Sequence, residues 1–388
     1  MNIPKLRFKE FTDEWTLQYF NKFLIERNII ANEKLNLYSL TIEKGIIPKN
    51  EQYEREFLIN KIDEAYKEIQ KNDFVYNPMN IRFGAVGRFK KGIHAKVSKY
   101  YNVFYCNNNL NNIFFEFLIK TKKLLNLYNK LAIGSLNEKK RLHYSDFLKI
   151  KYYMPSLQEQ EKIANFLATV DEKIINLENT ITSLENQKKG LLQQIFSQKL
   201  RFKDKNSNNY PNWEKKKLED ISNITMGQSP DSDFVNTEKI GTPFLQGNAE
   251  FTNKYPIEKY WCTKPQKIAN PTDILLSVRA PVGAINIANK KFCIGRGLSA
   301  ISFNCNKLFG KYNLEFNLFQ LIKKSQGSTF SSINKKDISE VILFIPCLEE
   351  QTKIADFLSA FDRKLENQKA QLEHWKQIKK GLLQQMFV

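Results

Sequence analysis

Methyl transfer, strand cleavage and nucleotide-driven work each need a recognisable set of side chains, and none assembles along these 388 residues. Methylation of adenine needs an Asn/Asp/Ser-Pro-Pro-aromatic loop, whereas Asn77-Pro78-Met79-Asn80 lacks both the second proline and the ring and reads as a turn. Gly84-Ala85-Val86-Gly87 is too short for a dinucleotide fingerprint and follows no βαβ pattern, and no G-x-x-x-x-G-K-[ST] cradle is present. Pro230-Asp231 and Glu214-Lys215-Lys216 stand in the wrong order for a metal-binding carboxylate set. Five cysteines (Cys106, Cys262, Cys293, Cys305, Cys347) and three histidines (His94, His143, His374) are scattered. They match neither zinc spacing nor a disulfide framework, so free thiols in a reducing compartment and no metal are expected.

What remains is chemistry of recognition. The formal charge is +19 and the pI about 9.4, a balance that suits a polyanion, because every phosphate neutralised releases condensed counterions. Arginine can bond guanine at two points, Asn or Gln can do the same to adenine, and lysine mostly holds phosphate. The candidates in glycine-rich, loop-like surroundings are Arg82, Arg88, Lys90, Lys91 and Lys96, then Gln246, Asn248, Arg279 and Arg296.

Such residues need a frame, and internal repetition supplies it. Residues 155–196, beginning PSLQEQEKIANFLATVDEK, align without a gap to residues 346–387, beginning PCLEEQTKIADFLSAFDRK, with 20 of 42 positions identical. Both copies end in KKGLLQQ. Lys5-Leu6-Arg7-Phe8-Lys9 recurs as Lys199-Leu200-Arg201-Phe202-Lys203, followed by Trp15 and Trp213 respectively. The chain reads as globular unit, helix, globular unit, helix, with boundaries at 1–154, 155–198, 199–345 and 346–388.

The helices show a heptad seam. In the first copy Ile163, Leu167, Val170, Ile174, Leu177, Ile181, Leu184, Lys188, Leu191 and Ile195 step by four and three throughout. In the second the seam is Ile354, Leu358, Phe361, Leu365, Gln368, Leu372, Trp375, Lys379, Leu382 and Met386. Lys188 and Lys379 are equivalent polar breaks, of the kind that fixes register at some cost in stability. Pro155 and Pro346 mark where each helix can begin. An apolar seam must be covered, and the other copy is the nearest equal, which predicts an intramolecular antiparallel coiled coil with pseudo-two-fold symmetry. Packing of each helix on its own globular unit is the alternative. From Ile163 to Ile195 such a rod runs roughly 48 Å at 1.5 Å per residue, on the order of 14 base pairs of duplex.

Charge follows the same division. The two helices carry −1 between them, residues 1–154 carry +11 and residues 199–345 carry +9. A composition bias alone would have spread into the helices. Each globular unit mixes short β-rich runs with helical patches, so the expected class is α+β. Asp73-Phe74-Val75-Tyr76 leads to Arg82 and Val86-Gly87, as Asp273-Ile274-Leu275-Leu276 leads to Arg279 and Val282-Gly283. Gly134-Ser135, Asp146 and Pro155 close the first unit, as Gly327-Ser328, Asp337 and Pro346 close the second. One fold used twice is the natural reading.

The segment order, the QEQEKIANFL and EEQTKIADFL helix starts and the KKGLLQQ endings resemble the specificity subunits of type I restriction–modification systems. The stretches VYNPMNIRFGAVGRFKKG and PFLQGNAEF resemble their target-recognition domains, and the likeness spans essentially the whole chain. The resemblance implies a non-catalytic chain whose two target-recognition domains each read half of a split, asymmetric double-stranded DNA site, the paired helices setting the spacer. It implies two modification subunits that methylate adenine with S-adenosylmethionine. Restriction subunits that use ATP and Mg are implied as well. The chain itself would bind no cofactor, and it would stay in the cytoplasm, away from membranes. Two other readings stay open on the residues alone. One is a coiled-coil scaffold whose basic units hold RNA or acidic proteins; the other is a self-contained modification or nuclease enzyme.

Overall fold

In the computed structural model, residues 3–32, 34–49, 66–135, 140–252, 255–326 and 332–387 are described. They form two compact units: Met1–Glu178 with Ala370–Val388, and Asn179–Lys369. Compactness therefore divides the chain inside both long helices, so each unit is a globular part plus a stretch of each helical repeat. Gly327 and Ser328 lie outside the described residues.

The first unit opens with β1 (Thr16–Tyr19) and β2 (Leu24–Glu26), then the hairpin β3 (Tyr38–Thr41) and β4 (Gly45–Pro48). Next come β5 (Tyr66–Ile69), β6 (Phe74–Tyr76), β7 (Val86–Arg88), β8 (Ala95–Ser98) and β9 (Asn102–Cys106). Helices α1 (Asn112–Leu118), α2 (Lys122–Leu131) and α3 (Tyr144–Leu148) precede β10 (Lys151–Met154), which pairs antiparallel with β1. The long helix α4 (Leu157–Phe196) follows. The second unit contributes β11 (Glu214–Lys217), α5 (Leu218–Ile221), β12 (Ser222–Met226), β13 (Val235–Asn236), β14 (Thr242–Leu245), β15 (Tyr260–Cys262) and β16 (Ile268–Ala269). It continues with β17 (Ile274–Ser277), β18 (Ile285–Ile287), β19 (Phe292–Ile294) and β20 (Leu298–Phe303). Then come α6 (Lys307–Gln326), α7 (Lys335–Ser339), β21 (Ile342–Ile345) and the long helix α8 (Leu348–Gln385).

Both units are built on one four-stranded antiparallel sheet, ordered β2-β9-β6-β7 in the first and β12-β20-β17-β18 in the second. The registers correspond. Glu26, Phe104, Phe74 and Arg88 form one cross-strand row; Ile224, Ile301, Ile274 and Ile287 form its counterpart. The acidic residues Asp73 and Asp273 have identical work: each carboxylate accepts the backbone N–H three residues earlier, Gln70 or Asn270, at 2.8 Å. The residue before each, Asn72 or Thr272, turns at a positive φ. The expected equivalence of Val86-Gly87 with Val282-Gly283 is corrected by the register. Val86 pairs with Tyr76 inside β7, whereas Val282-Gly283 lies in the turn before β18, whose Ile285 takes the matching place.

The helical repeats begin inside the globular cores. Arg7 donates through Nε and Nη2 to both oxygens of Glu159, at 2.7 and 2.8 Å. Arg201 grips Glu350 in the same fork at 2.8 Å on each side, and Trp213 Nε1 donates to Glu350 as well. The glutamates are buried, at 1% and 0% exposure, and the bonds to them hold both arginine pKa values above the ordinary range, against the opposing pull of burial. Beside each glutamate, Gln160 and Gln351 donate to the carbonyls of Pro155 and Pro346 and accept the N–H of Asn111 and Asn306.

Farther along, each unit pairs a stretch of α4 with a stretch of α8. In the first unit Lys376 meets Glu178 at 3.0 Å and Lys379 meets Asp171; in the second Lys369 meets Glu185 at 2.7 Å and Lys188 meets Asp362 at 2.6 Å. Partner numbers fall as α4 numbers rise, so the helices are antiparallel in both. The polar breaks thus find their ion partners at equivalent aspartates. On α4 the seam residues Ile163, Leu167, Val170, Ile174, Leu177, Ile181 and Leu184 are all buried. On α8 Ile354 and Leu358 are buried, while Phe361, Leu365, Leu372 and Trp375 are half-buried. The helix ends also enter the globular cores. Ile163, Leu167, Met386 and Phe387 join the phenylalanine-rich core of the first unit, and Ile195, Phe196, Ile354 and Leu358 join that of the second. Coiled-coil pairing and packing on the globular unit both occur, at different points of the same helices.

Two stability measurements check this frame. Arg201→Ala leaves a fully buried carboxylate without its cation, so a loss of about 3–5 kcal/mol is expected in denaturant unfolding; a loss under 1 kcal/mol would remove the clamp from its structural role. Phe387→Ala, at a ring 7% exposed and 5.4 Å from Phe114, should cost the first unit about 3–5 kcal/mol, seen as earlier unfolding of that unit.

Candidate nucleic-acid interface

In the second unit three loops converge beyond the strands of the shared sheet. The loop after β12 is anchored by the Gly227 N–H on Leu298 O and the Gln228 N–H on Ile294 O, both at 2.9 Å. The loop after β14 is held by Gly295 N–H on Leu245 O at 2.8 Å and Gly297 N–H on Gln246 O at 3.3 Å. Val278, which donates to Gly297 O at 3.0 Å, brings the neighbouring Arg279 to the same end. Backbones this close leave no room for side chains. A Cβ on Gly227 would run into the Gly295 carbonyl, and one on Gly297 would stand 2.6 Å from Gln246 O. Glycine here is a packing requirement.

The welded loops display Gln228, Gln246, Arg279 and Arg296 with exposed side chains, and Asn248 half-buried beside them. The structure therefore unites the expected Gln246, Arg279 and Arg296, and keeps Asn248 at their edge. Ser229 was not among the expected residues. Its hydroxyl meets the Gln246 amide and accepts the Arg296 N–H at 3.2 Å. The run Gly227-Gln228-Ser229-Pro230 is a turn signal that places it on a loop, but the pairing is tertiary.

The first unit presents its cations differently. Arg82 sits in a 3-10 turn over the Phe83 ring, 4.4 Å from its centroid, with Asn129 at 3.5 Å. Lys91 is exposed above Tyr38, and Lys96 on β8 lies over Tyr66, 5.1 Å from its ring centroid. Arg88 departs from its expected role. Its Nε donates to Glu116 at 2.9 Å and one Nη to Asn72 at 2.8 Å, and its side chain is only 13% exposed. The cross-strand row explains this, since Arg88 stands beside Phe74 on the sheet face turned to α1, where Ile287 stands in the other unit. Lys90, 62% exposed, shares Glu116 at 2.8 Å. A groove of about 850 Å³ in this unit has an apolar floor that includes Leu125, Tyr152, Ile174 and Phe387. Lys120, Lys122, Lys123, Lys376, Lys379 and Lys380 line it, and burial lowers the pKa of Lys120.

Among the described residues no group of His, Cys, Asp and Glu could hold a metal ion, and no helix is long and apolar enough to cross a membrane. Fold and loops together define a two-module protein that presents polar and cationic side chains to a polyanion.

The comparisons with known proteins make the class specific. Residues 30–186 and 210–374 each match the family described as the type I restriction modification DNA specificity domain. The chain is 35% identical over 286 residues to the putative type I restriction enzyme MjaX specificity subunit of Methanocaldococcus jannaschii, covering 71% of this chain and 67% of that one. It is 23% identical over 259 residues to the MjaVIII specificity subunit of the same organism, covering 61% of each. In fold it is similar to the type I restriction–modification S subunit from M. genitalium, with a TM-score of 0.64 at 16% identity over 100% of this chain and 99% of that one. A chain from a structure describing complex assembly and conformational transition of the type I R-M system gives 0.60 at 23% identity, covering 95% and 96%. This chain belongs to the type I restriction–modification DNA specificity family, and its function is DNA sequence recognition without catalysis of its own.

Two substitutions in the first unit separate phosphate holding from architecture. Lys91→Ala should lower DNA affinity evenly across sequences and reduce the salt dependence by about one unit of slope, with stability unchanged. Arg88→Ala should instead cost about 1–3 kcal/mol of stability, because Glu116 loses its partner, and leave base preference intact. A change of base preference in the Arg88 variant would return it to the reading set.

Proposed function

We propose that each unit reads one half of a split, asymmetric DNA site and that the paired helices set the distance between the halves. One observation carries this reading: the two units share a sheet, a register and a helix clamp, yet their outward loops differ in build. A shared frame with different loops is what two different half-sites require. The excess charge in the globular parts, +11 and +9 against −1 for the helices, supports phosphate contact on both.

In the same reading the chain directs two modification subunits to the site, with restriction subunits joining them in the cytoplasm. S-adenosylmethionine, ATP and Mg then belong to those partners. The relative drawn from a type I assembly and the helical repeats support this arrangement.

Methylation mapping in cells with and without the gene tests the proposal. A bipartite methylated motif should vanish with the gene, and an unchanged methylome would sink the reading. The spacing has its own test. One extra heptad in each helix adds about 10 Å at 1.5 Å per residue, so the preferred spacer should lengthen by roughly three base pairs. A constant spacer would show that the helices do not measure it.

A further inference from the structure

The Gln246 amide is folded back onto the loop that carries Arg296. A Cβ on Gly295 would stand 2.8 Å from Gln246 Oε1, so the amide lies directly over that glycine. Its outer edge is occupied by one atom: Ser229 Oγ, 3.0 Å from Nε2 and 3.2 Å from Oε1. That hydroxyl is pinned in turn by the Arg296 N–H at 3.2 Å. A hydroxyl has one hydrogen to donate and lone pairs to accept with. It therefore offers Oε1 a donor and Nε2 an acceptor. The major-groove edge of adenine offers the same two, the N6 amino group and N7.

We propose that Gln246 is the adenine reader of the second unit and that Ser229 occupies its reading edge until a base displaces it. The inference rests on the DNA-reading function proposed above. The exchange is balanced: one serine contact is given up for a two-point contact to the base, and Ser229 becomes available to solvent or to phosphate. The backbone beneath does not have to move, because Gly227, Gln228, Gly295 and Gly297 tie the three loops together. Gln246 is exposed, so its side chain can swing outward without disturbing the core. Ser229 acts through Gln246, as a positioning residue of the free protein.

Selection of the full chain with its methyltransferase partners on a randomised duplex library provides the test, with the first unit's half-site as internal control of folding. The wild-type protein should require adenine at one position of the second half-site. Gln246→Ala should erase preference at that position alone, by about tenfold or more. Gln246→Glu should move the preference from adenine to cytosine, whose N4 amino group donates to a carboxylate. Ser229→Ala should keep the adenine preference and bind at least as tightly as wild type, and Ser229→Thr should match wild type.

Unchanged preference in Gln246→Ala, or a loss spread evenly over all positions, would overturn the assignment of Gln246. Loss of adenine preference in Ser229→Ala would overturn the displacement and make the serine a support of the bound state. If the wild-type chain selects no split site at all, the DNA-reading proposal itself fails, a result separable from every variant outcome.

Discussion

A carboxylate held without water at the start of each long helix is the constraint on which the rest of this protein hangs. Glu159 and Glu350 cannot be buried as anions unless a cation with matching geometry comes with them. Only the forked guanidinium of Arg7 or Arg201 meets both oxygens at once. That requirement draws the KLRFK segment against the helix start and seats Trp15 and Trp213 in the cores. It also sets the rotation at which α4 and α8 leave the globular parts. Rotation of the helix start decides which face carries the seam. The ion pairs Lys379–Asp171 and Lys188–Asp362 are the downstream result of the same phase.

Most of this frame was legible in the sequence because it is written twice. The gapless helical repeat and the repeated KLRFK and tryptophan named the helices, their polar breaks and the α+β units between them. What the repeat could not say was what each conserved letter touches. Glu159 and Glu350 read as ordinary charged residues of a helix start until the fold buried them. The Val-Gly equivalence misled because identical letters fell in a strand in one unit and a turn in the other; only hydrogen-bond register distinguishes these.

The recognition face was legible in kind and only partly in detail. Exposed cations and amides in glycine-rich loops picked out Gln246, Arg279 and Arg296, which the fold does gather. Arg88 sat in equally glycine-rich company and turned inward, because its strand position alternates toward α1, where Glu116 waits. Ser229 carried no signal strong enough to single it out, since its partner lies on another loop. Loops that meet only through tertiary backbone bonds are invisible to local patterns. The frame is therefore constrained by burial and repeats itself, while the faces are constrained by little more than solubility and are built independently in the two units.

The division of the chain into Met1–Glu178 with Ala370–Val388, and Asn179–Lys369 between them, has a consequence for the order of events at the ribosome. Met386 and Phe387 complete a core whose other members lie before residue 178. At typical elongation rates the intervening stretch takes on the order of ten to forty seconds to emerge. Throughout that interval the first unit waits with the apolar surface around Phe114 and Leu167 uncovered, while the second can assemble from a continuous run. The later-made half is thus the first able to close, and the earlier-made half is finished by the strand of chain that arrives after it.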